Sequence, residues 1–197
     1  MDFRDSDVRV HLGRALQPQG LKWTSLLVQS VWKVWAPPRC NFFAWLVLQN
    51  RIWTSDRLIR RGWPNCGVCP LCKQCQESAA HLLFQCRFTL WVWNDIIPWL
   101  GMHHVNMATW ATRVSVRDWW TSNIHIRVGS PKALASLMML ISWEIWTERN
   151  HRVFRNMAVP SMVLISKIKE EVSLWALAGH GARSINAPRA NQPVLKS

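Results

Sequence analysis

Five of the six cysteines in this 197-residue chain fall between Cys66 and Cys86, and His81 sits among them. No other feature constrains the fold as strongly. Thiols and an imidazole at short fixed spacing can close a metal site, and such a site dictates the local chain path. The core reads Cys69-x2-Cys72-x8-His81-x4-Cys86. Two cysteines separated by two residues suit a tight knuckle whose backbone amides point at the thiolates. The other two donors come from the start of a helix. Three thiolates and one imidazole make a closed tetrahedral zinc site. His81 and Cys86 lie about 140° apart around an ideal helix. They converge only if the turn between them is distorted or the helix starts after His81. The spacing therefore predicts that the zinc interrupts or caps the helix N-terminus.

The neighbouring cysteines leave alternatives open. Cys66 and Cys75 extend the run to Cys66-x2-Cys69-x2-Cys72-x2-Cys75, so Cys66 or Cys75 could replace a ligand. As an iron–sulfur run the last gap is one residue short and no proline follows. Reduced cysteines acting as small apolar residues are the bland alternative. Cys40 lies in a helix and reads as a buried thiol. A retroviral zinc knuckle fits poorly, because eight residues here separate Cys72 from His81.

The remaining counts narrow the class. Apolar residues make up 49%, enough for a sizeable core and too many for a disordered chain. The longest nearly unbroken apolar stretch, Ala133 to Trp143, contains Ser136 and Ser142, and a membrane span needs roughly 18 apolar residues. Asp2, Asp5 and Asp7 near the start argue against a signal peptide. An intracellular protein is expected, nucleus and cytoplasm not being distinguished, and in that setting clustered cysteines read as metal ligands before disulfides. The net charge of +13 favours a polyanionic partner. Fifteen tryptophans stand against no tyrosine, and no Asp-Asp pair occurs, which excludes the usual catalytic turn of polymerase palms.

Helical periodicity dominates. Leu26, Leu27, Val31 and Trp35 mark a helix from Leu21 that stops at Pro37-Pro38. A second helix is predicted from Arg39 to Gln49. Thr54 is a suitable N-cap for a short third one that ends at Gly62, with Leu58 and Ile59 packing inward. A fourth is predicted from Ser78 to Ile97, with Pro98 ending it. Ser130-Pro131 should open a long helix to Phe154. Pro160 should open another, with Ile165, Ile168, Val172 and Trp175 on one face. The fold class is mainly α: a small helical domain stapled by one zinc knuckle, followed by C-terminal helices. The expected organisation is a loose lead-in over 1–20, a zinc-binding domain over 21–98, and a linker over 99–130 with a short helix around Val116 to Ser122. A C-terminal helical pair over 131–178 and a disordered tail over 179–197 follow.

Several motifs together resemble one family. They are Trp32-Lys33, Ala36-Pro37-Pro38-Arg39, Phe43-Ala44-Trp45-Leu46, and Thr54 with Asp56, Leu58 and Arg61-Gly62. Next come Cys69, Cys72, Glu77-Ser78, His81-Leu82 and Cys86, and then Ile145-Trp146, Glu148-Arg149-Asn150, Arg152 and Phe154. The chain resembles the zinc-binding domain that follows the reverse transcriptase in plant LINE-type (non-LTR) retrotransposon polyproteins. Arg39 stands where the family usually has lysine. The resemblance implies a zinc cofactor on Cys69, Cys72, His81 and Cys86. It also implies a piece of, or an open reading frame derived from, a polyprotein whose polymerase, endonuclease and ribonuclease H parts do not occur in these residues.

Two functions compete. One is a nucleic-acid-binding module for RNA or DNA, without sequence preference. Residues 1–65 carry ten basic and four acidic residues, and Arg57, Arg60 and Arg61 cluster on the short helix before the metal loop. The other is a structural or protein-interaction module that docks on a reverse transcriptase or another partner. An enzyme is not expected, because four protein ligands close the zinc site. Trp32, Trp35, Trp45, Trp53 and Trp91 read as core. Glu77 reads as an acid favoured at a helix N-terminus, Glu148–Arg152 as an ordinary surface pair, and His103-His104 as solvent-exposed. His151 with Arg149, Arg152 and Arg155 reads as a second basic face.

Overall fold

A computed structural model describes residue 27 and residues 31–124 and 130–177. The lead-in over 1–20, the tail over 179–197 and most of the helix expected from Leu21 lie outside the described residues. Among these residues the elements are all helical, joined by loops and one antiparallel bridge between Val68 and Gln76. Helix α1 spans Pro38–Leu48, with proline at its first turn, where the missing amide proton costs nothing. Its inner face buries Cys40, Phe43, Ala44, Val47 and Leu48, one turn after another. Helix α2 spans Ser55–Arg60. Gly62 follows it at φ 79°, a left-handed position that glycine adopts without strain.

The stretch predicted as one helix from Ser78 to Ile97 is interrupted. His81–Gln85 form a π-helical turn, Cys86 is extended, and α3 begins anew at Arg87–Trp99. Pro98 is accommodated in the last turn of α3. A 3-10 turn at Met107–Thr112 and helix α4 at Val116–Ile124 follow. Helix α5 runs over Pro131–Phe154, with the Ser130 hydroxyl accepting the Ala133 amide proton at its N-terminus. Helix α6 spans Ser161–Leu177.

Helix α5 is the spine. It packs against α1, α4 and the π turn, while α6 lies on α3 and α5. The Glu144 carboxylate, nearly fully buried, receives Lys167 Nζ at 2.6 Å, and Arg39 reaches Glu171 at 3.2 Å. Within the stretch expected as a linker, the described residues 99–124 contribute core instead. Trp110, Trp119 and Trp120 are buried. Trp119 stacks on Phe84 at 4.9 Å, and Trp110 meets Trp93 edge-on at 5.2 Å. The physical reason is the bulk of these rings, whose burial outweighs the polar character of the surrounding sequence. The expected C-terminal pair likewise shares this core with the zinc-loop segment.

Candidate metal centre

The aromatic cluster forms the floor of the metal loop. Leu82, Leu83 and Phe84 are buried in succession between His81 and Cys86. An ordinary α-turn cannot aim three consecutive side chains into one core while returning both flanking residues to one point. The widened turn does both. The Cys86 amide donates to the His81 carbonyl at 2.6 Å, five residues back, so one bond joins the two metal-ligand candidates. Trp93 Nε1 donates to the Leu83 carbonyl at 3.1 Å and Thr89 Oγ1 to the Leu82 carbonyl at 2.7 Å, which anchors the turn to α3. The 140° separation is resolved in this way.

The other two donors come from the knuckle. Gly67 and Lys73 take positive φ, at 71° and 57°, and the Cys69 amide donates to the Cys75 carbonyl at 2.8 Å. A Cβ at Gly67 would meet the terminal oxygen of the flexible Gln76 side chain, which can move aside, so it is the left-handed φ that favours glycine here. The Cys69 and Cys86 sulfurs are 3.9 Å apart, and Cys72 Sγ lies 3.4 Å from His81 Nε2. All four donor atoms fall within 4.8 Å of one another. A tetrahedral zinc with bonds of about 2.3 Å to sulfur and about 2.0 Å to nitrogen separates sulfurs by roughly 3.8 Å and sulfur from nitrogen by roughly 3.5 Å. The donor set therefore fits zinc in chemistry and in size. Cys66 and Cys75 are exposed and outside the cluster, while Cys40 is buried in α1.

The four donors differ in how readily they give up a proton. Its bond to Cys86, together with burial, pushes the Cys69 thiol up to about 12. The same bond lowers Cys86 against burial, aided by the amides of Thr89 and Phe88. Burial would raise Cys72, but the amides of Gln74 and Cys75 and the His81 side chain outweigh it and hold the thiol below its ordinary value. His81 is raised, chiefly by its bond to Cys69. Cys72 and Cys86 thus lean toward the thiolate that metal ligation demands, whereas Cys69 and His81 lean toward the protonated form and must each give up a proton to a bound metal.

The motif on α5 supports the knuckle from behind. Arg149 forms a bidentate pair with Glu77, at 2.7 and 2.9 Å, and both side chains are almost completely buried. Glu77 Oε2 also accepts the amide and hydroxyl of Ser55, at 2.8 and 2.5 Å. Glu77 is thus an acid at a helix N-terminus, and the helix is α2, twenty-two positions earlier in the chain. Arg152 donates to the carbonyls of Pro70 and Leu71, the two residues between Cys69 and Cys72, and to the Val159 carbonyl. Glu148, buried, holds Arg152 Nε at 2.7 Å and accepts the Val159 amide at 3.0 Å. The pair read from sequence as an ordinary surface contact is therefore internal. The second basic face expected around His151 is absent for the same reason, because Arg149 and Arg152 turn inward.

Residues 16–93 match the protein family described as zinc-binding in reverse transcriptase. Over these residues the chain is similar to reverse-transcriptase-type zinc-binding domains. All four clustered donors lie inside the match. A protein of Arabidopsis thaliana named as a ribonuclease H protein is 35% identical over 125 residues, 63% of this chain. The chain spans about a fifth of that relative's length, 19%. No solved structure matches.

The arginines singled out in the zinc-binding domain divide into two kinds. Arg60 pairs with Asp56 at 2.7 Å. Arg57 and Arg61 instead lie over the Trp53 ring, at 5.6 and 4.8 Å from its centre. Trp53 is 45% exposed, and Trp32 and Trp91 are exposed as well, so the core reading fails for these three; Trp35 and Trp45 are half-buried. Leu58 is half-buried but Ile59 is exposed, resting near Gly67 of the knuckle. With six residues, α2 is too short to bury both. The Thr54 hydroxyl caps no amide and bonds Asp56. His103 is exposed and His104 half-buried. Sequence reasoning missed Glu77–Arg149 and Arg152 as determinants of the site. The available signal was spacing: Glu148, Arg149 and Arg152 continue the buried stripe of Ile141 and Ile145, where charges must find internal partners.

Proposed function

We propose that this protein is a zinc-stapled nucleic-acid-binding module of a retrotransposon-derived, reverse-transcriptase-associated protein, acting inside the cell without catalysis of its own. Cys69, Cys72, His81 and Cys86 hold the zinc, and bound zinc supplies rigidity. Four protein donors fill a tetrahedral shell, which leaves no position for a reacting water. The observation that carries the reading is the bond from Ser55 to Glu77. It fastens the N-terminus of α2 to the metal loop, so the loop orients the helix that carries half-buried Arg57 and exposed Arg60, with exposed Arg61 at its C-cap. The charge of +13 supports a polyanionic ligand. Among the described residues, no helix is long and apolar enough to cross a membrane.

The test is an electrophoretic shift on single- and double-stranded RNA and DNA at two salt concentrations. Each phosphate-binding arginine replaced by alanine lowers the slope of log affinity against log salt by roughly one unit. A triple variant at positions 57, 60 and 61 that binds like the parent, with an unchanged slope, sinks the reading. A docking module is the second reading. It draws on an apolar group at the α5–α6 junction, where Phe154, Met157, Met162 and Val163 are all exposed. Under it, a reverse transcriptase partner covers these residues, and substituting them abolishes co-purification with the polymerase while leaving nucleic-acid affinity intact.

A further inference from the structure

Trp53 sits in a stretch whose other side chains are buried. Ile52 and Thr54 flank it inside the core, and the Thr54 amide donates to the Ile52 carbonyl at 3.0 Å. The backbone that carries the indole is therefore fixed, yet the ring itself is 45% exposed. Arg57 on α2 and Arg61 at its C-cap, four positions apart, both place their guanidinium over it. Among the described residues neither arginine has a carboxylate within ion-pair distance, because Asp56, the acid on the same helix, is engaged by Arg60. This places a large aromatic surface toward solvent beside two arginines that have no carboxylate partner among those residues.

We infer that Trp53 with Arg57 and Arg61 is a stacking platform for single-stranded nucleic acid. This rests on the nucleic-acid reading above and specifies its ligand. An unpaired base takes the indole face that the two guanidinium groups overlie in the free protein, and the displaced forks, whose planar donors suit phosphate oxygens, fall to the adjacent phosphates. A duplex keeps its base faces stacked on one another and cannot use the ring. Every base has such a face, so the platform is tolerant of sequence. Arg60, already neutralised by Asp56, stands apart from it.

The experiment is fluorescence anisotropy with the full chain, zinc-loaded, on labelled oligouridine RNA, oligothymidine DNA, an abasic strand of equal length, and a DNA duplex. The parent binds the base-bearing strands more tightly than the abasic strand or the duplex. W53A loses about 5- to 150-fold on those strands, the range of one base–aromatic stack, and changes little on the abasic strand and duplex. W53F, which keeps an aromatic face, retains most of the affinity. Zinc content and circular dichroism of each variant establish that it is folded. A folded W53A that binds oligouridine and oligothymidine like the parent overturns the platform. So does an equal loss on the abasic strand. If in either case R57A/R61A still weakens binding, the nucleic-acid module stands without stacking. A parent that binds none of the four probes overturns both. The RNA and DNA arms show which strand the platform prefers.

Discussion

Glu77 and Arg149 stand 72 positions apart in the chain and form one buried, bidentate ion pair between the metal loop and α5. The carboxylate also caps α2 through Ser55, so three parts of the protein meet at one side chain. Such a pair contributes little beyond what a well-packed apolar pair would, but removing one partner leaves a buried charge without compensation. R149A or E77A is therefore expected to cost about 3–5 kcal/mol, read from denaturant unfolding of the zinc-loaded protein. R149K keeps the charge but not the fork, and it should fall between parent and R149A. A cost under about 1 kcal/mol for both alanine variants, the range of exposed pairs, would contradict the buried geometry.

The pair also sets a pH dependence. Burial would raise the Glu77 carboxyl, but the bonds from Arg149 and Ser55 outweigh it and hold the group below the ordinary glutamate range. A carboxylate whose folded pKa is depressed contributes stability that is complete above its unfolded pKa, about 4.3. That contribution drains away as the pH falls through the folded value. The stability gap between parent and E77Q should be wide at neutral pH, narrow below about 4.3, and close once the pH lies under the folded pKa. Acid release of metal affects both proteins alike, so the difference between their urea midpoints isolates Glu77. A gap that widens on acidification refutes this assignment.

The zinc site makes its own prediction. Purified protein should contain one zinc per chain, and C69S, C72S, H81A or C86S should lose it. C40A should keep it, because burial pushes the Cys40 thiol up to about 12 inside α1, away from the cluster. A chelator should lower the helix signal, since closed structural sites contribute folding free energy directly. Unchanged circular dichroism after complete metal removal would show that the loop folds without the ion.

The helices were legible because their signals are local: Pro37-Pro38 before α1, Ser130-Pro131 before α5, and apolar residues at helical spacing in α6. The Cys/His spacing was legible for the same reason, down to the distorted turn between His81 and Cys86. What escaped were features decided by distant partners. Trp53 has the spacing of a core residue and is exposed, because α2 is short and tied down by Glu77. Glu148 and Arg152 have the spacing of a surface pair, yet the knuckle carbonyls of Pro70 and Leu71 come to Arg152 from another part of the chain. The short helix around Val116 to Ser122 was legible, but the burial of Trp110, Trp119 and Trp120 was not, because it is decided by elements packed on either side.

The charge arrangement on α2 yields a gain-of-function variant. Asp56 holds Arg60 at 2.7 Å in an exposed i,i+4 pair. Such pairs are weak, so D56N should cost little stability while freeing Arg60 and removing a negative charge beside Arg57 and Arg61. Nucleic-acid affinity should rise and its salt slope steepen by up to roughly one unit. In the parent background, R60A should accordingly weaken binding less than R57A or R61A does. Equal losses for all three arginines would mean that the Asp56 pair dissolves in the complex.

The last prediction concerns where the domain ends. The family match stops at residue 93, but the site does not. Arg149 completes Glu77, and Arg152 grips the two carbonyls between Cys69 and Cys72. The π turn that joins His81 to Cys86 packs against α5, and Phe84 lies on Trp119. A fragment ending at residue 98 would leave Glu77 as a buried carboxylate without its cation and would expose Leu82, Leu83 and Phe84. Either penalty alone is several kcal/mol, comparable with the whole stability of a small domain. The fragment 16–98 should therefore be unfolded or aggregated when expressed alone and hold zinc loosely, whereas 16–178 should fold and retain it through dialysis against a mild chelator. Amide exchange protection at Leu82–Cys86 is the decisive readout. Native-like protection in the shorter fragment would show that the knuckle is self-sufficient and that the contacts from α5 are accessory.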